Sequence, residues 1–259
     1  MQDMKHTDKM PEIKVSWFER WRRRMREFRN ITMLQSFIAQ VLPPGVKLVD
    51  LVKRFGVVEK NIPCAHDSSH VLKFILDMLR APREQEGCFV EAGCFKGGST
   101  AKFSIIAKIL GKKRIVFDSF EGLPENGEQH EKSLEGHSIQ NWFDGGAFTE
   151  TLEEVKSNIS RYGEIDSCEF VRGWFEKTMV EFNTPVLAGF IDVDLASSTK
   201  TCLKYLYPLL VHGGVLCSQD GDFPLVVEVF QDKSFLREWG EPFPVIEGLG
   251  EKITHIRKP

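Results

Sequence analysis

The run from Phe89 to Gly98, Phe-Val-Glu-Ala-Gly-Cys-Phe-Lys-Gly-Gly, constrains this chain more than any other segment. An apolar stretch meets Glu91, turns through Gly93, Gly97 and Gly98, and passes directly into Ser99, Thr100 and a helical pattern. This order predicts the first strand, turn and helix of an α/β sheet, because glycine lets the backbone turn sharply and approach a ligand closely. The spacing Gly93-x-x-x-Gly97-Gly98 differs from the Gly-x-Gly-x-x-Gly that seats a pyrophosphate on a helix N-terminus. A dinucleotide cofactor, and with it a dehydrogenase, is disfavoured. A glycine turn that binds nothing stays open as an alternative at this point.

Strand patterns recur at 88–91, 114–118, 168–172, 186–192, 214–218 and 252–257, with helical patterns at 98–111, 151–162, 174–181, 198–211 and 224–238. Such alternation predicts a mostly parallel sheet covered by helices on both faces. Thr151-Leu-Glu-Glu154 reads as a capping box, Gly163 as a helix stop and Pro224 as a first-turn residue. Ahead of the sheet, helices are expected at 31–42, stopped by Pro43-Pro44-Gly45, at 46–55, and from Asp67 or Ser68 to Arg80. We expect residues 1–60 to form an N-terminal helical extension, a lid or dimer arm, and 61–259 to form the main domain.

The chain has 259 residues and a formal charge of -3, which gives no general electrostatic case for nucleic acid. No run has the length of a membrane span and no signal peptide is legible, so a cytoplasmic protein is expected. Charge is uneven: residues 1–30 hold nine Lys or Arg against five Asp or Glu. There Trp17, Trp21, Met25 and Phe28 recur at helical spacing among arginines, a basic amphipathic helix. Packing on its own domain or in a homodimer is the commoner use of such a helix, ahead of membrane adsorption or an acidic partner. The six cysteines form no Cys-x-x-Cys pair and read as buried thiols; Cys94, inside the glycine turn, has no base beside it in sequence.

From Glu125 to Phe148 the periodicity fails, over a stretch that carries Gly127, Gly136, Gly145, Gly146, His130 and His137. Leaving the ligand side of the sheet, this connection reads either as a lid or as a surface insertion. Ligands of open parallel sheets bind at the carboxyl ends of the strands. In this chain those ends are acidic: Glu91, Asp118, Asp192, Asp194, Asp220 and Asp222. Carboxylates so placed repel one another unless cations share the site. Asp118 lies 25 residues after Gly93, which suits a ribose of a positively charged nucleoside cofactor. Asp192, Asp194 and Asp220 are hard oxygen ligands, which suit Mg²⁺.

Four blocks, Val90 to Gly98, Phe-Asp-Ser-Phe-Glu-Gly-Leu-Pro at 117–124, Phe-Val-Arg-Gly-Trp-Phe-Glu-Lys-Thr at 170–178 and Ile-Asp-Val-Asp-Leu at 191–195, together resemble the macrocin O-methyltransferase family. The resemblance spans roughly 61–239. It implies a Rossmann-like class I methyltransferase fold and transfer of a methyl group from S-adenosylmethionine, assisted by Mg²⁺, to a hydroxyl of a small natural product such as a deoxysugar. Carried over by position, Glu91, Ala92, Gly93, Gly97, Gly98 and Ser99 would border the cofactor, with Asp192 near it. Asp118 and Ser119 would hold the ribose, and Asp166, Gly173 and Trp174 would lie near the adenine.

The resemblance also makes Asp192, Gln219 and Asp220 the metal ligands and Asp194 the general base, with His130 and His137 as alternative bases. The chain departs from the family at Gln219, where a second Asp is common, at Ala196, commonly aromatic, and at Lys177, commonly acidic. A neutral amide oxygen is the weaker metal ligand. Two other readings stay open: a metal-independent methyltransferase of the same fold acting on a carboxylate, nitrogen or carbon, and a non-catalytic protein that binds the cofactor or regulates a partner.

Overall fold

The computed structural model describes residues 17–239 and 243–259, with side chains described from residue 29 onward. Three helices precede the sheet: α1 (Trp17–Val41), α2 (Leu48–Asn61) and α3 (Ser68–Arg80). The expected break near residue 30 is absent, and α1 runs through it until Pro43 and Pro44 end the helical path. The aromatic and arginine pattern at Trp17, Trp21, Met25 and Phe28 lies outside the described side chains. Further along α1, Leu34 and Ile38 are buried in one cluster with Phe74, Ile75 and Met78 of α3. Burial of a side chain of that size contributes about 1.5–3 kcal/mol.

Strands β1 (Cys88–Ala92), β2 (Arg114–Asp118), β3 (Cys168–Arg172), β4 (Val186–Ile191) and β5 (Leu210–Ser218) are parallel. β7 (Thr254–Arg257) returns antiparallel to β5 and pairs with β6 (Val245–Glu247), giving the order β3-β2-β1-β4-β5-β7-β6. The strand order reverses at β1/β4, so the crevice for a ligand lies beyond their carboxyl ends.

Successive residues of each strand feed opposite faces. Val90, Phe117 and Leu216 pack with α7 (Ala196–Leu209), α8 (Pro224–Gln231) and α9 (Lys233–Arg237). Phe89, Phe190 and Cys217 pack with α1, α3 and α4 (Gly98–Ile109). On that second face Val116 joins Val58 of α2 and Val155 and Ile159 of α5 (Leu152–Tyr162). Both faces are therefore dry, which explains why these strands read as apolar runs.

Most element boundaries match the pattern, and each exception has a local cause. The helix expected at 224–238 is split because Asp232 accepts hydrogen bonds from the Ser234 and Phe235 amides and starts α9 afresh. The stretch 174–181 is α6 (Phe175–Thr178) followed by a 3₁₀ turn. Gly163 and Pro224 stand where expected, at a helix end and a helix start. Thr151 caps α5 by accepting from the Glu154 amide, but its own amide is taken by Glu150 rather than by Glu154. β6, three residues between Pro244 and Gly248, is too short to show alternation.

Candidate active site

A cavity of about 1720 Å³ opens at the carboxyl ends of β1, β2, β4 and β5. Gly93 forms its floor at φ +80°, where a β-carbon would collide with the Asp192 carbonyl, so no side chain is tolerated. Asp118 anchors this turn: Oδ2 accepts from the Cys94 amide at 2.8 Å and Oδ1 from the Phe120 amide at 2.8 Å. Each oxygen keeps a second lone pair for a ligand donor. Ser119, Gly173 and Trp174 line the same wall, and the Gly173 amide donates to the Asp118 carbonyl. Gly98 and Ser99 also reach the cavity.

Several residues expected at the cofactor do not line the cavity. Glu91 is fully buried beneath the floor, where Arg114 lies 2.9 Å from Oε2 and Ser99 Oγ donates to Oε1 at 2.7 Å. Ala92 is buried within the strand. Gly97 holds the left-handed residue before α4, at φ +82°, and faces Val155 and Ile159 of α5. Asp166 precedes β3 and therefore sits at the amino end of the parallel strands, where its carbonyl accepts from Lys113 Nζ. The Cys94 thiol is buried and pushed well above its ordinary value by that burial and by Asp118 and Glu91, so it is no nucleophile at neutral pH.

The other end of the cavity is acidic. Asp192 and Asp194 lie in the β4–α7 turn; Gln219 and Asp220 follow β5. Asp192, Asp194 and Asp220 each bring a carboxylate oxygen within 4.8 Å of the others. Asp220 Oδ2 accepts from the Val193 and Asp194 amides at 3.1 and 2.9 Å. We assign the Gln219 amide with its nitrogen toward the carboxylates, donating to Asp220 Oδ1 at 2.9 Å and to Asp192 Oδ1 at 3.2 Å. The opposite rotamer would turn its oxygen toward carboxylate oxygens and forgo both of these hydrogen bonds. Burial, then Asp220 and Asp192, raise the Asp194 carboxyl well above the usual carboxylate range. Burial and Asp192 push Asp220 up to about 7.

Sequence reasoning missed four basic groups on this cavity: His66, His70, Lys73 and Lys252. His66 Nδ1 is 3.3 Å from Asp192 Oδ2, and its buried Nε2 has no hydrogen-bond partner among the described residues. Burial drops His70 to about 4, so it is neutral at pH 7. Lys252 Nζ lies 3.2 Å from Asp222 Oδ1 and 4.0 Å from the Phe223 ring centroid. The run Cys64-Ala-His-Asp-Ser-Ser-His70, with two histidines four residues apart at a helix start, was the available signal for the first pair.

The connection between β2 and α5 covers the cavity through His137, Ile139, Trp142, Phe143 and Phe148. Ile139 and Phe143 are buried in the main core, so the segment is a packed wall rather than a surface insertion. His137 reaches the cavity and is half exposed. His130, expected as an alternative base, does not: its ring is wedged between Phe143 and Phe223, with Nε2 3.1 Å from Glu128 Oε2. Glu128 in turn accepts from the Ala196 and Ser197 amides at 2.8 and 2.9 Å, capping α7 and pinning the turn that carries Asp192 and Asp194.

The strand order, the glycine floor and the acidic edge define the Rossmann-like fold of class I methyltransferases. Solved structures agree at the level of fold: the O-methyltransferase NovP matches at TM-score 0.55 and 20% identity, over 82% of this chain and 81% of that one. The SAH-bound methyltransferase PaMTH1 of Podospora anserina matches at TM-score 0.53 and 13% identity, over 96% of this chain and 100% of that one. The profile of the macrocin-O-methyltransferase (TylF) family matches residues 75–248. The chain belongs to the macrocin O-methyltransferase family.

Among its relatives, the 8-demethyl-8-(2,3-dimethoxy-alpha-L-rhamnosyl)-tetracenomycin-C 4'-O-methyltransferase of Streptomyces olivaceus is 32% identical over 179 residues, 65% of this chain and 66% of the relative. Mycinamicin III 3''-O-methyltransferase of Micromonospora griseorubida is 28% identical over 152 residues, 56% of this chain and 59% of the relative. The match thus spans less than two thirds of these relatives' lengths. Among the described residues no helix is long and apolar enough to cross a membrane.

Proposed function

We propose that this chain is an S-adenosylmethionine-dependent O-methyltransferase whose acceptor is a hydroxyl on the sugar of a small natural product. The observation that carries the reading is one continuous cavity with a glycine floor and Asp118 at one end and Asp192 and Asp194 at the other. Family membership and two relatives named for methylating sugar hydroxyls support the acceptor class.

In the reaction the acceptor oxygen attacks the methyl carbon of the sulfonium. The carbon–sulfur bond breaks with its electron pair going to sulfur, leaving a neutral thioether, and the hydroxyl proton passes to a base. Asp194 is the base we assign, because it lines the acidic end of the cavity where the acceptor hydroxyl would lie. Holding oxygen, methyl and sulfur in line is the larger part of the catalysis. Residues between Leu123 and Phe148 cover one side of that line.

The donor set does not fit the Mg²⁺ that the family resemblance implies. Such an ion takes about six oxygens at roughly 2.0–2.1 Å, whereas the oxygens of Asp192 and Asp220 already face nitrogen donors and Gln219 presents a nitrogen to them. Asn30 of α1 lines the cavity, which supports the N-terminal helices as part of a lid. Their exposed Met33 and Phe37 support a dimer arm.

One set of measurements on the full chain tests these readings. Calorimetry with S-adenosylhomocysteine should show one site, and incubation with S-adenosylmethionine and deoxysugar-bearing acceptors should give a product heavier by one methyl group. Absence of cofactor binding would sink the reading at its base. Sedimentation at the mass of a single copy would remove the dimer arm.

A further inference from the structure

We propose that the acidic end of this cavity works without a divalent cation, because the Gln219 amide and the Lys252 ammonium bind together the carboxylates that would otherwise require one. The proposal rests on reading the cavity as a methyl-transfer site and specifies how that site balances its charge.

Three carboxylates, Asp192, Asp194 and Asp220, bring oxygens within 4.8 Å of one another, and Asp222 lines the same cavity; like charges so close need compensating donors. The donors are present. Gln219, 5% exposed, bridges Asp220 and Asp192 through one nitrogen, a cross-link that an aspartate at this position could not make. Backbone amides of Val193 and Asp194 take the other oxygen of Asp220, and His66 faces the other oxygen of Asp192. Asp194 adopts φ +61°, a strained conformation that turns its own amide onto Asp220.

The remaining charge is met by Lys252. Its ammonium is fixed between Asp222 and the face of Phe223, both walls of the cavity. A divalent ion among these carboxylates would have to expel the Gln219 nitrogen and sit beside a fixed ammonium. Both oppose the attraction that the clustered oxygens of Asp192, Asp194 and Asp220 would exert on such an ion.

The test uses Mn²⁺ as probe, read by electron paramagnetic resonance on the full chain with and without S-adenosylhomocysteine. Wild-type protein should leave the free Mn²⁺ signal undiminished. Gln219→Asp, which restores an oxygen ligand and a charge, should deplete the free Mn²⁺ signal at concentrations where wild type leaves it unchanged. Lys252→Met, which removes the internal cation, should also gain Mn²⁺ binding, and it answers the question if the first variant does not fold. One Mn²⁺ bound to wild type and released by Asp192→Asn would overturn the proposal. So would two folded variants that gain nothing.

Cofactor calorimetry separates this proposal from the function on which it rests. Binding of S-adenosylhomocysteine in EDTA supports both, and binding only in Mg²⁺ overturns the metal-free site. Failure to bind under either condition overturns the methyltransferase reading and leaves the Mn²⁺ result standing.

Discussion

Glu91 and Asp220 begin as the same kind of residue, a carboxylate at the carboxyl end of a parallel strand, and end in opposite circumstances. Glu91 is sealed under the cavity floor against Arg114, a guanidinium that also lies over the Phe103 ring at 4.5 Å. Asp220 is as deeply buried, yet its partners are amides, and its ion pair is indirect, through Lys252 of a neighbouring loop. Position at a strand end therefore does not decide what an acidic residue does. What differs is the compensating group: a full countercharge in contact bolts Glu91 in place, whereas the amides that meet Asp220 tie it to the turn carrying Asp192 and Asp194, which do line the cavity.

The strongest way to break this comparison is to remove the bolt. Arg114→Met leaves Glu91 charged, buried and without its countercharge, a change that costs about 3–5 kcal/mol. Urea denaturation should show that loss, and Arg114→Met combined with Glu91→Gln should recover most of it, since Ser99 can still donate to the amide. If the single and double variants are equally unstable, Glu91 is not held in the manner we describe.

Glu128 is intermediate, a partly covered carboxylate that holds a helix end. Burial opposes its charge, but His130 and the donors at Ser197 and Ala196 outweigh burial and bring it down to about 2. An unfolded glutamate titrates near ~4.3. The folded value is depressed, so the stabilisation is complete above about pH 5 and is lost as pH falls from there toward 2. Glu128→Gln should cost about 1–3 kcal/mol at pH 7 and flatten the fall in stability across that acid range. An unchanged acid slope in thermal melts would show that the cap is not made by a charged group.

This gradation explains how far the sequence could be read. Strands β1 to β5 and the acidic edge were legible because apolar runs and glycine turns are local signals. So was the departure at Gln219. The partners were not, since they arrive from elements distant in sequence: Arg114 opens β2, His66 precedes α3, and Lys252 precedes β7. His130 was misjudged as a base for the same reason, because its fate is set by Phe143 and Phe223 and no pattern around it records them. Asp166 was placed near the adenine although a residue ahead of a parallel strand lies at the far end of the sheet.

Water is the last kind of compensation, and it sets the small end of the scale. At the end of β3, Arg172 lies 3.4 Å from Glu121, and both side chains are more than half exposed, at 55% and 57%. Solvent stabilises either charge alone, and salt screens the pair, so Glu121→Ala should change stability by at most ~0.5 kcal/mol. A near-zero effect here, beside a large one at Arg114, would show that the energetic role of an acid on this edge follows its dryness and its partner. A loss at Glu121 comparable to that at Arg114 would reverse that order.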